Sequence, residues 1–227
     1  MDARRAQILD TLGIERYAGR AAAPAAAAGA AAAASDDPRA TMDWDALAEG
    51  VASCTRCTLA ATRTRTVFGV GDRSARWFVV GEAPGADEDR QGEPFVGRAG
   101  QLLNSMLRGT GLAREQVFIA NVLKCRPPGN RDPTPEEVRC CMPFLHRQIA
   151  LVNPALILCV GRIAAQNLLG TATPIGKLRG AVHTLAPFGI PVVVTYHPAY
   201  LLRSPGEKRK AWEDLKFAMG VARGDRA

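Results

Sequence analysis

Several things are missing from this 227-residue chain, and each absence narrows what it can do. No segment approaches the roughly 20 apolar residues that a membrane-spanning helix needs. The amino terminus, Met1-Asp2-Ala3-Arg4-Arg5, leads into no apolar core with a small-residue cleavage site, so no secretory signal is expected. No stretch repeats itself, and no flavin motif is present. Histidine is scarce, with three in the whole chain, so each can be weighed singly. These absences predict a soluble, cytoplasmic protein with no membrane partner.

What is present begins with charge. Lys+Arg 29 against Asp+Glu 22 gives a net +7. Such a surplus favours polyanionic partners, because nucleic-acid binding is driven by phosphate neutralisation and counterion release. A solubility surplus of arginine is the alternative. The length suffices for one α/β domain and an appendage. In a reducing compartment, the six cysteines argue for metal ligation or reactivity rather than disulfides.

Residues 1–20 read as an amphipathic helix with Ile8, Leu9 and Leu12 on one face. It is either a docking peptide for a protein partner or a dispensable extension. Residues 21–42 are an alanine-rich low-complexity linker broken by Pro24 and Gly29. The domain proper is expected over 43–227, opening with a helix through Trp44, Leu47 and Val51. Apolar runs at 76–81, 117–123, 155–161 and 191–196 read as strands. Helical periodicity is expected at 99–111, 135–152, 163–169 and 207–221. Strands separated by helices predict an α/β fold: three layers, α/β/α, around a central, mostly parallel four-stranded sheet.

The strand at 76–81 stops in Gly81-Glu82-Ala83-Pro84-Gly85-Ala86-Asp87-Glu88-Asp89, a loop that continues through Pro94-Phe95-Val96-Gly97 to Gly100. α/β proteins place chemistry at such strand ends. His197 stands where the last apolar strand ends, so it is expected to face this acidic loop across a crevice. His146 and His183 carry no such signal. After His197 come Tyr200, Leu201, Leu202 and Arg203, then Lys208, Arg209 and Lys210. An apolar wedge flanked by cations suits a protein that opens a duplex; a capping turn whose leucines return to the core is the alternative.

Cys54 and Cys57 form a C-x2-C pair, which offers two thiolates to one metal centre. Cys125 ends a strand, and Cys140 and Cys141 compete for a fourth place in the following helix. Spacing alone leaves zinc and a 4Fe-4S cluster both open. Cys159 lies inside an apolar strand and reads as a small buried hydrophobe.

Taken together, Gly81-Glu82-Ala83-Pro84-Gly85, Pro94-Phe95-Val96-Gly97-Arg98-Ala99-Gly100, Asn121-Val122-Leu123-Lys124-Cys125-Arg126-Pro127-Pro128 and His197-Pro198-Ala199-Tyr200-Leu201-Leu202-Arg203 resemble one family. It is the family 4 uracil-DNA glycosylase, the iron–sulfur type of bacteria and archaea. The resemblance runs from about residue 44 to the carboxyl terminus. It implies a monofunctional, monomeric DNA-repair enzyme of base excision, acting on uracil in single- or double-stranded DNA and associated with the nucleoid.

By that resemblance the ligands of a 4Fe-4S cluster fall on Cys54, Cys57, Cys125 and Cys141. Uracil is expected to stack on Phe95, Asn121 to read its edge, and His197 to donate to its O2. Glu82 is the expected carboxylate near the sugar. Related glycosylases with Gly-Gln-Asp-Pro-Tyr carry an aspartate where this chain has Ala83, and a tyrosine that excludes thymine where it has Gly85. Glu88 is the expected substitute for that tyrosine, and Ala83 is expected at the uracil. Tyr200, Leu201, Leu202 and Arg203 are expected at the DNA. A non-catalytic iron–sulfur DNA-binding scaffold and a redox carrier are the alternatives. Intact Glu82, Phe95, Asn121 and His197 argue against the first.

Overall fold

The computed structural model describes residues 37–224, and the expected helix at 1–20 lies outside them. Among the described residues six strands form one sheet: β1 (Val70–Gly71), β2 (Trp77–Gly81), β3 (Phe118–Asn121), β4 (Leu156–Val160), β5 (Val182–Leu185) and β6 (Ile190–Thr195). They lie in the order β1-β3-β2-β4-β6-β5. The four central strands are parallel, and β1 and β5 are antiparallel on the edges. The expected four-stranded sheet is therefore corrected to six. The central strands are covered on both faces, and each reads as an apolar run. β5 has one buried residue in four, and β1 has only two residues, so neither leaves such a run.

The helices are α1 (Trp44–Ala52), α2 (Ala86–Gln91), α3 (Arg98–Gly109), α4 (Pro135–Val152), α5 (Arg162–Leu169), α6 (Ile175–Leu178), α7 (Pro198–Arg203) and α8 (Lys208–Arg223). Side chains alternate across a strand, so the sheet has a buried cluster on each face, and a third, smaller one joins Leu47 and Val51 of α1 to Phe144 of α4. Trp77 and Val79 pack with Leu103 and Leu107 of α3 and Leu215 and Ala218 of α8. Phe78 and Val80 pack with Leu145 and Ile149 of α4 and Ala165 and Leu168 of α5. Removing one such leucine costs about 2–5 kcal/mol. The start of α4 was legible: Thr134 accepts from the Glu137 N–H, Glu137 accepts from the Thr134 N–H, and Pro135 fills the first turn.

Two boundaries differ from expectation. The packed structure begins before residue 43. A 3-10 turn, Pro38–Thr41, buries Arg39, whose guanidinium donates to the Cys140 carbonyl at 2.6 Å and lies over the Phe144 ring. The acidic stretch expected as loop contains α2. Its first turn holds Asp87, Glu88 and Asp89, a favourable placement at the positive end of the helix.

Candidate active site and thiol pocket

Parallel register brings the strand ends to one edge. Gly81 pairs with Asn121, Val80 with Cys159, and Val160 with Thr195. Above that edge lies a pocket of about 430 Å³, with Glu82, Glu88, Phe95, Asn121, Asp132 and His197 in its walls. Topology alone therefore assembles side chains that are more than a hundred residues apart in sequence.

Gly81 is required by close approach. A Cβ there would lie 2.3 Å from Asn121 Oδ1 and 2.7 Å from the Phe95 ring. Asn121 is 2 % exposed, and among the described residues its Oδ1 has no hydrogen-bond partner. A buried acceptor without a donor costs stability unless a ligand supplies one. Phe95 adopts φ 55, and its carbonyl would collide at 1.7 Å with any Cβ at Gly100. Such backbone outliers concentrate at functional sites. The Phe95 and His197 rings are 5.8 Å apart at 31°.

His197 caps α7, and the Ala199 N–H donates to its Nδ1 at 3.1 Å. With Nδ1 accepting, a neutral ring carries its proton on Nε2. Burial, reinforced by Arg203 and opposed by Glu88, pushes the imidazole down to about 4, so it is neutral at physiological pH. Glu82 moves the other way. Burial and the neighbouring Asp132 push its carboxyl up to about 7, against the pull of Arg162. Asp132 is paired with Arg162 at 2.9 Å.

Glu88 reaches the pocket, but its carboxylate is also engaged by backbone. Oε2 accepts from Gly85 N–H at 3.1 Å, and Oε1 from Val96 and Gly97 N–H at 3.0 and 3.2 Å. It ties the start of α2 to the Phe95 segment. A Cβ at Gly85 would lie 2.7 Å from that Oε2, so the carboxylate takes up the space beside Gly85. Ala83, Tyr200 and Arg203 line the same pocket. So do Asn130, Arg131 and Asp132, which sequence reasoning missed. Their segment is shaped by Arg126 donating to Asn130 Oδ1 at 2.8 Å and by Arg131 gripping both oxygens of Glu137 at 2.6 and 2.9 Å.

A profile of the uracil DNA glycosylase superfamily matches residues 68–216. The chain belongs to that superfamily. The type-4 uracil-DNA glycosylase of Archaeoglobus fulgidus is 47% identical over 178 residues, covering 76% of this chain and 89% of the relative. That of Thermotoga maritima is 44% identical, covering 77% and 92%. A type-5 uracil-DNA glycosylase of Thermus thermophilus is 32% identical over 151 residues, covering 59% of this chain and 68% of the relative.

One expectation for this superfamily member is corrected by burial. Leu201, expected in a DNA wedge, is 1 % exposed and faces inward. Residues 198–203 form the helix α7, in which successive side chains diverge by about 100°. Tyr200 therefore faces out, Leu202 is half-buried and Arg203 is exposed. Of the remaining histidines, His183 Nε2 meets the Leu178 carbonyl at 2.7 Å and His146 packs edge-on against Phe188.

A second pocket is lined by Cys54, Cys57, Cys125, Cys140 and Cys141. These cysteines are free thiols, and among the described residues no three His, Cys, Asp or Glu side chains are gathered as a metal-holding group. The surroundings nevertheless fit thiolates. The Lys124 N–H donates to Cys141 Sγ at 3.1 Å, and Arg63 donates to Cys125 Sγ at 3.4 Å. Burial pushes the Cys141 thiol up to about 12, against the pull of Lys124. Cys140 differs: its thiol meets the Arg56 carbonyl at 3.3 Å and needs its proton to do so. Cys159 is fully buried in β4. Lys124 itself is 2 % exposed, with its ammonium on the Asn121 carbonyl at 3.0 Å and Gln148 Oε1 at 2.6 Å.

Proposed function

We propose that the chain releases uracil from DNA by hydrolysing the bond between uracil N1 and the deoxyribose, as a monofunctional repair glycosylase. The observation that carries the site assignment is the buried, unpartnered Asn121 Oδ1 above Gly81. It accepts the uracil N3–H, and the amide nitrogen donates to O4, a pairing that cytosine's edge cannot match. The base enters only after leaving the stack, and Phe95 offers it a face. The bond to the sugar breaks toward an oxocarbenium-like centre, and its electron pair passes to the uracil ring and O2. His197, held neutral with its proton on Nε2, donates to that oxygen as charge develops. Water then adds at C1′. Glu82, as carboxylate, faces the developing positive charge and orients or deprotonates that water. Glu88 and Ala83 bound the base near its 5-position.

Tyr200, Leu202 and Arg203 are the DNA contacts we assign on α7, and the +7 net charge supports a polyanionic substrate. Cys54, Cys57, Cys125 and Cys141 would hold a 4Fe-4S cluster, for which type-4 relatives and the N–H donors on two of the sulfurs speak. Its chemistry there is structural, tying the segment after α1 to α4. We assign the chain to the cytoplasm as a monomer at the nucleoid, with the glycosylase domain taking in the packed turn at Pro38–Thr41 and residues 1–20 serving to dock a protein partner. Among the described residues, no helix is long and apolar enough to cross a membrane.

The test is incubation with a uracil-containing oligonucleotide followed by hot alkali, with a thymine strand as control. Scission at uracil alone is expected. No scission from fresh protein refutes the assignment and favours the non-catalytic scaffold.

A further inference from the structure

We infer that an apolar recess between α3 and α8 takes an unpaired nucleobase of the strand flanking the uracil, stacked on Trp212. This rests on the uracil-DNA reading above and extends it to a second contact site. The recess measures about 210 Å³ and is lined by Leu102, Met106, Leu201, Ala211, Trp212 and Leu215, with Lys208 at its edge.

Position argues first. Ala99 of α3 lines the uracil pocket, while Leu102 and Met106 of the same helix line the recess. At a rise of 1.5 Å per residue, Ala99 and Met106 stand about 10 Å apart along the axis. The helix α7 is the partition: Tyr200 and Arg203 belong to the pocket, and Leu201 forms the wall of the recess. A strand whose uracil is in the pocket therefore passes the recess within a few nucleotides.

The side chain argues second. Among the described residues the exposed large apolar side chains are Val182, Tyr200 and Trp212, and Trp212 is 41 % exposed. Its ring lies against the bare backbone of Gly109, where a Cβ would come within 3.0 Å of Cζ3. The indole is thus held in place on one side and open on the other. An aromatic platform so held stacks any base, since every base has a π-face.

Charge argues third. Lys208 lines the recess, Arg209 follows it in α8, and Arg203 lines the adjoining pocket; all three are exposed. Arg209 pairs with Glu213 at 3.3 Å and Lys210 with Glu207 at 2.9 Å, which leaves Lys208 and Arg203 as the cations for phosphate. An apolar floor with cations on its rim matches single-stranded nucleic acid, in which bases and phosphates alternate.

The experiment compares uracil release from a long single-stranded oligonucleotide and from a uracil-centred trinucleotide, using the full chain. Trp212→Ala is expected to raise KM on the long strand by about tenfold, the scale of one stacked base, with kcat unchanged. KM on the trinucleotide is expected to stay as it was, and Trp212→Phe to restore most of the loss. Lys208→Glu, at an exposed position, should raise KM on the long strand alone and keeps the test valid if Trp212→Ala does not fold. Intrinsic fluorescence should be quenched by a uracil-free poly-dT strand in the parent and not in Trp212→Phe. An unchanged KM on the long strand overturns the inference, as does an equal rise on both substrates. A change of oligomeric state without a change in KM overturns it too, and marks the recess as an interface between copies. If the parent releases uracil from neither substrate, it is the glycosylase assignment that fails.

Discussion

The pH dependence of base release tests the division of labour in the pocket, because two of its titratable groups, His197 and Glu82, are pushed in opposite directions. His197 is held down to about 4 and Glu82 up to about 7. From about pH 5 to pH 9 the histidine stays neutral and contributes no limb, so the profile reports the carboxyl alone. Glu82 acts as carboxylate in the mechanism. Its active form therefore grows as pH rises through the folded pKa and is lost as pH falls below it. With a midpoint near 7, about one molecule in ten is competent at pH 6 and about nine in ten at pH 8. Single-turnover release should climb about tenfold per unit at the acid end and level off above the midpoint. Glu82→Gln should flatten the profile and lower the plateau about 10²- to 10⁴-fold, the usual weight of a positioned acid–base group. The neighbours give signed controls. Asp132→Asn removes a like charge and should move the midpoint to lower pH, whereas Arg162→Gln should move it higher. A level parental profile, or an unchanged midpoint in Glu82→Gln, refutes the role given to Glu82.

Four further outcomes are expected. His197→Ala should cut single-turnover release about 10²- to 10³-fold, the cost of one donor to a developing oxyanion; anisotropy with uracil DNA should show far smaller losses in affinity. Gly81→Ala places a methyl 2.3 Å from Asn121 Oδ1, so uracil release should be lost for about 1–3 kcal/mol of overpacking in denaturant melts. Cys141→Ser should abolish the broad absorbance near ~400 nm of ferric–thiolate ligation, while Cys140→Ser should retain it; the reverse pattern would exchange the two ligands. Leu201→Ala should cost about 2–5 kcal/mol of stability and slow duplex and single-stranded substrates alike, since that side chain is core rather than wedge.

What the sequence made legible followed from burial. β2, β3, β4 and β6 are apolar on both faces, so each left a continuous run. The first and last of these runs located Glu82 and His197 at their carboxyl ends, whereas Asn121 fell inside the expected run 117–123, although β3 ends there, and was named by the resemblance alone. β5 was hidden because an edge strand exposed on one side alternates too briefly to register. Leu201 was misplaced because three adjacent residues look equivalent until the phase of a helix turns them apart. Asn130, Arg131 and Asp132 are ordinary loop residues in type; only the Arg126, Glu137 and Arg162 contacts, one of them 30 residues distant, bring them to the pocket. The resemblance supplied roles for single side chains that periodicity could not.

Lys124 denies this fold a modularity that strand-end sites usually enjoy. Its ammonium holds the carbonyl of Asn121, the residue to which we assign the reading of uracil, and its own amide holds the sulfur of Cys141. Grafting the pocket onto a scaffold without the cysteines would leave this buried ammonium, which burial pushes down to about 8, with the Asn121 carbonyl and Gln148 Oε1 but without the opposing influence of two sulfurs. Loss of the thiols would thus be felt directly under Asn121, through the lysine that touches both sites.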